Sequence, residues 1–213
     1  MLLKKKEQLL KEVISLSQKL STNRIKAFEQ LHNELIRLLR DLGMENSSIE
    51  FERNEIPISK FGVDEIVLKF SANKGVSPQP IKQVASGGEL SRLMFSIKYV
   101  LASKIALPTI VFDEIDAGIS GEIALKMGRM MQEMAKNHQV ITITHLPQIA
   151  SFGQRHFYVF KDNHADTTKS IMKQLNSQDR EFEIAKMIGG DHPSEAAVLS
   201  AKELLKNNHL SLN

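Results

Sequence analysis

The first 42 residues contain no glycine and no proline, and their apolar side chains recur at helical spacing. Leu2, Leu9, Val13, Leu16 and Leu20 form one stripe; Ala27, Leu31, Leu35, Leu38 and Leu42 form a second, slightly out of phase. Intervals of three, four and seven are those of a coiled-coil or bundle seam. The segment is therefore read as one helical arm roughly 60 Å long. The polar run Ser21-Thr22-Asn23-Arg24 between the stripes is a candidate stutter or break, and Gly43 a candidate C-cap. An amphipathic helix cannot bury its stripe alone, and no other stretch promises a helix of matching length. The arm thus requires a partner, either a second copy or a segment elsewhere. It carries nine Lys/Arg against five acids, although the whole chain has a net charge of only +3. Spread over such a length, that excess reads first as a solvated helix face and only weakly as a nucleic-acid signal.

Beyond residue 46 the period changes. Ile49 and Phe51, then Ile66, Leu68 and Phe70, alternate with polar residues as short strands do, and Gly75-Val76-Ser77-Pro78-Gln79-Pro80 reads as a loop. There follow a helix near 87–104, a strand at 109–113, a helix at 121–137 and a strand at 139–144. Strands near 156–160 and 169–175 and helices near 179–188 and 194–207 close the chain. Strand–helix alternation argues for an α/β lobe with a parallel sheet flanked by helices. The expected division is an arm at 1–43 and a lobe at 44–213. A chain of 213 residues buries enough surface to need no covalent staples, and with no cysteine it has no disulfides or thiolate sites. That absence fits a reducing cytoplasm. No apolar run approaches the length of a membrane span, and the charged start Lys4-Lys5-Lys6-Glu7 is not an export signal.

Three segments carry chemistry. Ser86-Gly87-Gly88-Glu89 opens a helix, where two glycines and free backbone N–H groups can receive a phosphate. Taken alone, the same residues read more readily as an ordinary helix cap. Thr109 to Asp113 is an apolar strand ending in Asp113-Glu114, which places two carboxylates where parallel sheets bind ligands. Asp113 can hold a hydrated Mg²⁺ there, and Glu114 can take a proton from an attacking water; a solvated strand end is the alternative. Val140 to Thr144 delivers His145 to the same edge. A single histidine after a strand means little, but beside Asp113 and Glu114 it becomes a candidate contact for a terminal phosphate.

In this order and spacing the three segments resemble the second half of an ABC-type ATPase. A closer resemblance is to the RecN family of bacterial DNA-repair ATPases, relatives of the SMC proteins. It rests on Val84-Ala85-Ser86-Gly87-Gly88-Glu89-Leu90-Ser91-Arg92 as signature motif and Phe112-Asp113-Glu114-Ile115-Asp116-Ala117-Gly118-Ile119-Ser120-Gly121 as Walker B and D-loop. Ile143-Thr144-His145-Leu146-Pro147-Gln148-Ile149-Ala150 is similar to the family's His-switch, and Arg180 to Gly190 to its tail. The resemblance implies ATP and Mg²⁺ as cofactors. Ser86, Gly87, Gly88 and Glu89 would bind the nucleotide held by an opposite head, Asp113 would serve the metal, and Glu114 and His145 would be catalytic. Asp116 and Ser120 would form the D-loop across a dimer. Ala85 stands where many ABC proteins have Leu and Ser120 where many have Asp, as in this subfamily. DNA as a partner, and a nucleoid-associated cytoplasmic location, are implied by the family alone.

No glycine is followed five residues later by Gly-Lys-Ser or Gly-Lys-Thr, so the chain has no Walker A loop. In the resembled family that loop precedes an outgoing coil, and residues 1–42 then read as the returning arm. The implied partners are an N-terminal half carrying Walker A and a second head, with no membrane involved. Alone, the chain is expected neither to hydrolyse ATP nor to bind it tightly. The alternatives are a non-catalytic interaction module and the head lobe of another SMC-like ATPase. A transporter domain is disfavoured by the arm and by Ile115-Asp116, where transporters show Pro-Thr. Met127, Met130 and Met134 with Ile123 read as core, as do Phe152, Phe157, Tyr158 and Phe160. The remaining histidines have no metal-ligand spacing.

Overall fold

A computed structural model describes residues 1–84, 87–162 and 169–209. The chain divides into two compact units, residues 1–100 and residues 101 onward.

In the first unit, helix α1 (Leu2–Asp41) passes through Ser21-Thr22-Asn23-Arg24 without interruption. It ends where Gly43 takes φ +77°, a conformation glycine adopts without steric cost. There the Gly43 N–H donates to Arg40 O and the Met44 N–H to Leu39 O, the two bonds of a Schellman motif. Strands β1 (Ser48–Ser59) and β2 (Gly62–Ser71) pair antiparallel from Ser48↔Ser71 to Glu55↔Asp64 and are longer than their few alternating apolar residues suggest. β3 (Gln79–Pro80) adds to β2 and leads to helix α2 (Gly87–Ala102).

The expected break in the arm is instead its docking point. The side chain of Asp64 on β2 is 1% exposed and accepts from the Ser21 hydroxyl (3.0 Å) and from Arg24 Nη1 (3.4 Å), with Arg53 Nε at 3.6 Å. Arg53 Nη1 also donates to Ser21 Oγ at 2.9 Å. Small polar residues in a helix let a neighbouring carboxylate reach it, so a segment that looks helix-breaking by propensity is held by tertiary hydrogen bonds. Most of the second stripe is covered by the chain itself. Leu35, Leu38 and Leu42 are buried, α1 lies against β1 and β2, and Phe28 stacks on Phe51 at 4.9 Å. The first stripe stays at the surface, with Leu9 and Leu16 51% and 60% exposed, and so does Ala27 at the start of the second.

The second unit is built around β4 (Thr109–Asp113), α3 (Gly121–Met134) and β5 (Gln139–Ile143). The strands pair parallel from Thr109↔Gln139 to Asp113↔Ile143, as a helical crossover requires. Among the described residues, parallel pairing is confined to these two strands. One face buries Ile110 and Phe112; Val111, Ile141 and Ile143 lie exposed on the other. α3 buries Ala124, Met127, Gly128, Met131 and Met134. Met131 thus takes the fully buried position expected of Met130. After β5 come α4 (Pro147–Ala150), the antiparallel pair β6 (Phe157–Asp162) and β7 (Lys169–Gln174), and helices α5 (Ser177–Gly189) and α6 (Glu195–His209). Ile184, Ala185 and Ala201 form the core between α5 and α6. Phe152 is buried as expected, but Phe157, Tyr158 and Phe160 are exposed, because a two-stranded ribbon leaves side chains of both faces accessible.

Gly128 is where α3 meets the segment after α4. A Cβ built there would lie 2.2 Å from Cδ2 of the buried Phe152. Gly128→Ala is therefore expected to destabilise the chain despite alanine's higher helix propensity, by about 1–3 kcal/mol as for other overpacked cores. Urea denaturation measures it, and Gly128→Ala combined with Phe152→Leu should recover part of the loss.

Candidate functional site

β4 and β5 bring together at their carboxyl ends Asp113, Glu114 and His145, which are separated in sequence by a whole helix. Asp113 pairs with Ile143, the Glu114 N–H donates to Ile143 O at 3.2 Å, and His145 follows two residues later. Asp113, Glu114 and His145 are all exposed. Glu114 has φ +46° and is the one non-glycine residue with positive φ among those described. A β-carbon in that region costs roughly 1–2 kcal/mol, and such strain concentrates at functional positions. The strand pairing holds it there: the Ile143 carbonyl fixes its N–H, and its own carbonyl accepts from Ala117 N–H (3.3 Å).

Asp116 differs from its neighbours. Its side chain is 1% exposed, accepts from the Thr144 hydroxyl through Oδ2, and has Oδ1 3.9 Å from His145 Nδ1. Thr144 Oγ1 in turn accepts from the Leu146 N–H at 3.0 Å. The expected D-loop residue thus turns into its own chain. Ser120, the other D-loop residue, is exposed at the N-cap of α3 and makes no side-chain capping bond.

Ser86 lies outside the described residues. Gly87, Gly88 and Glu89 form the first turn of α2 and belong to the first unit. A Cβ at Gly87 would meet no atom within 4 Å. Nothing in the described chain demands a glycine there.

Among the described residues no three of His, Cys, Asp and Glu form a ready-made metal cage. Magnesium does not need one, since it binds through one or two carboxylates together with waters and phosphate oxygens. An exposed Asp113 beside Glu114 fits that chemistry.

Sequence reasoning gave no role to Thr144 or Arg180. Arg180 on α5 donates from Nη2 to the carbonyls of Ala150 (3.3 Å) and Ser151 (2.9 Å), closing the turn that follows His145. Asn208 Nδ2 donates to Ser151 Oγ at 2.6 Å, and Gln132 Nε2 to Asn208 O at 3.1 Å, so α3 and α6 hold the same segment. Only an arginine opening a helix marked this in the sequence. Burial, and secondarily the charge of Arg180, hold the pKa of His156 below its ordinary 6.5. The unfolded chain therefore binds the proton first as pH falls. Stability from this residue is complete above about pH 6.5 and is lost as pH falls towards the lower folded value. His156→Gln should accordingly cost most above pH 7. Urea midpoints of the two proteins should then draw together as pH falls below 6.5.

The structural neighbours are SMC head domains. One is the Smc head domain with a coiled coil and joint from Pyrococcus yayanosii, 18% identical, covering 85% of this chain and 34% of that one at a TM-score of 0.62. Another, described as "Structural biochemistry of ATP-driven dimerization and DNA stimulated activation of SMC ATPases", is 18% identical and covers 78% of this chain and 96% of its own at 0.51. The fold is that of a C-terminal lobe of an SMC-type, ABC-class ATPase head with a helical arm. No family model matches the chain. Curated relatives narrow the class: the protein named DNA repair protein RecN of Rickettsia bellii is 41% identical over 197 residues, 91% of this chain. Those of Deinococcus radiodurans and Vibrio cholerae are 37% and 34% identical over 195 and 194 residues. Over about nine tenths of its own length the chain is thus similar to proteins named RecN. It spans 36% of the length of the Rickettsia bellii relative.

Proposed function

We propose that this chain supplies the C-terminal lobe of the head of a RecN-like DNA-repair ATPase, acting on DNA at the nucleoid in the cytoplasm. The observation that carries this reading is Glu114, exposed and strained at the end of the parallel pair, beside Asp113 and hydrogen-bonded to Ile143, two residues before His145.

In this account Asp113 holds Mg²⁺ and Glu114 accepts the proton of the attacking water. His145 contacts the terminal phosphate. Mg²⁺ held by Asp113 would supply charge neutralisation at the phosphates. Ser86, Gly87, Gly88 and Glu89 grip the nucleotide of an opposing head through the α2 N-terminus, and Ser120 reaches across the same interface. A lobe carrying Walker A, absent from this sequence, supplies the remaining phosphate grip. Residues 1–43 form the returning coil, and the exposed stripe from Leu2 to Leu20 packs on the outgoing one. Among the described residues no helix is long and apolar enough to cross a membrane.

The test is the mass of the assembled head, this chain together with its Walker A half, followed by light scattering in the Glu114→Gln background. ATP should double the mass, and Ser86→Arg should abolish the doubling. Association that ignores nucleotide would instead favour an interaction module.

A further inference from the structure

Asp116 is a buried acid with one oxygen satisfied and one not. Thr144 Oγ1 donates to Oδ2, whereas Oδ1 has no hydrogen-bond partner among the described residues. A buried carboxylate oxygen left without a donor is costly, which makes it a strong acceptor for any N–H that can reach it. One candidate stands close. His145 Nδ1 lies 3.9 Å from Oδ1, too far for a hydrogen bond, on a side chain that is 71% exposed and therefore free to turn. The backbone limits that turn: Thr144 is fixed by its bond to Asp116 and by the Leu146 N–H, so His145 swings from an anchored residue.

We infer that Asp116 is a positioning residue for His145. Its Oδ1 receives the Nδ1–H of the imidazole, fixes the proton on that nitrogen, and presents Nε2 alone at the edge of the sheet. This assigns Asp116 to its own head rather than to contact across a dimer. It also couples the segment 116–120 mechanically to the histidine: a movement of that segment shifts the acceptor and so the ring. An orienting acceptor behind a working histidine is a general device for setting its tautomer. The inference rests on the reading of His145 as a functional residue, but not on nucleotide being bound.

The test is therefore made without nucleotide. Long-range ¹H–¹⁵N spectra of the whole chain near pH 8 report which ring nitrogen of His145 carries the proton, with His145→Gln used for assignment. The expected result is Nδ1–H in the parent chain. In Asp116→Asn the amide keeps its oxygen for Thr144 and offers N–H to His145, so the proton should move to Nε2. Thr144→Ser, which keeps the anchoring hydroxyl, should leave the tautomer at Nδ1. Nε2–H in the parent chain, or one and the same tautomer in parent and Asp116→Asn, overturns the assignment. Because the parent spectrum decides by itself, a poorly folding variant does not protect the proposal. Failure here would leave the ATPase reading standing, and loss of the ATPase reading would leave the Asp116–His145 pair standing.

Discussion

Replacing Glu114 by glutamine should lower Mg-ATPase turnover of the assembled head by about 10²–10⁴-fold, the usual contribution of a positioned general base. The amide keeps the size of the side chain and its exposure, so chain stability should hardly change. Glycine at the same place makes a sharper test, because Glu114 sits at φ +46°. Relief of that strain outweighs the extra unfolded-state entropy of glycine, so Glu114→Gly should stabilise the chain by up to about 1 kcal/mol. Activity should be lost all the same. Opposite signs for stability and turnover would mark a residue held in place for function. If Glu114→Gly destabilised the chain, the strain argument would be wrong, whatever happened to the rate.

The second large effect concerns the joint between the arm and the β1–β2 hairpin. Asp64 is almost wholly buried, whereas Arg24 and Arg53 are 28% and 36% exposed. Losing the carboxylate leaves two cations that can turn to water. Removing both cations leaves a buried carboxylate with only the Ser21 hydroxyl. Arg24→Met with Arg53→Met should therefore cost about 3–5 kcal/mol, the range for stranding a buried charge. Adding Asp64→Asn to that pair should return most of it. A triple variant no more stable than the double would show that lost packing, rather than the stranded charge, sets the cost.

The two mixed outcomes of the sequence reading share one physical origin. Period and turn chemistry located β4, α3 and β5 to within a few residues, because a strand ending in acids and a strand ending in His are local patterns. They could not say what covers a stripe. Leu35, Leu38 and Leu42 looked like half of a coil and are instead buried in a unit whose α1 packs on its own hairpin; Leu9 and Leu16 remain exposed. Ser21 to Arg24 looked like a break because propensity is blind to Asp64, 40 or more positions later. Of the candidate site, Asp113, Glu114 and His145 were legible as chemistry. The inward turn of Asp116 was not, since a loop acid reads the same whether it faces a partner or Thr144. Nor could sequence foresee the left-handed backbone at Glu114, which follows from the clamp of Ile143.

The most direct measurement is Mg-ATPase activity of this chain alone, of a separately made half carrying Walker A alone, and of the two mixed. Assembly is verified first by mass. Turnover only in the mixture, lost with Glu114→Gln, is the expected result. Turnover by this chain alone, or none in a verified assembly, would contradict the account.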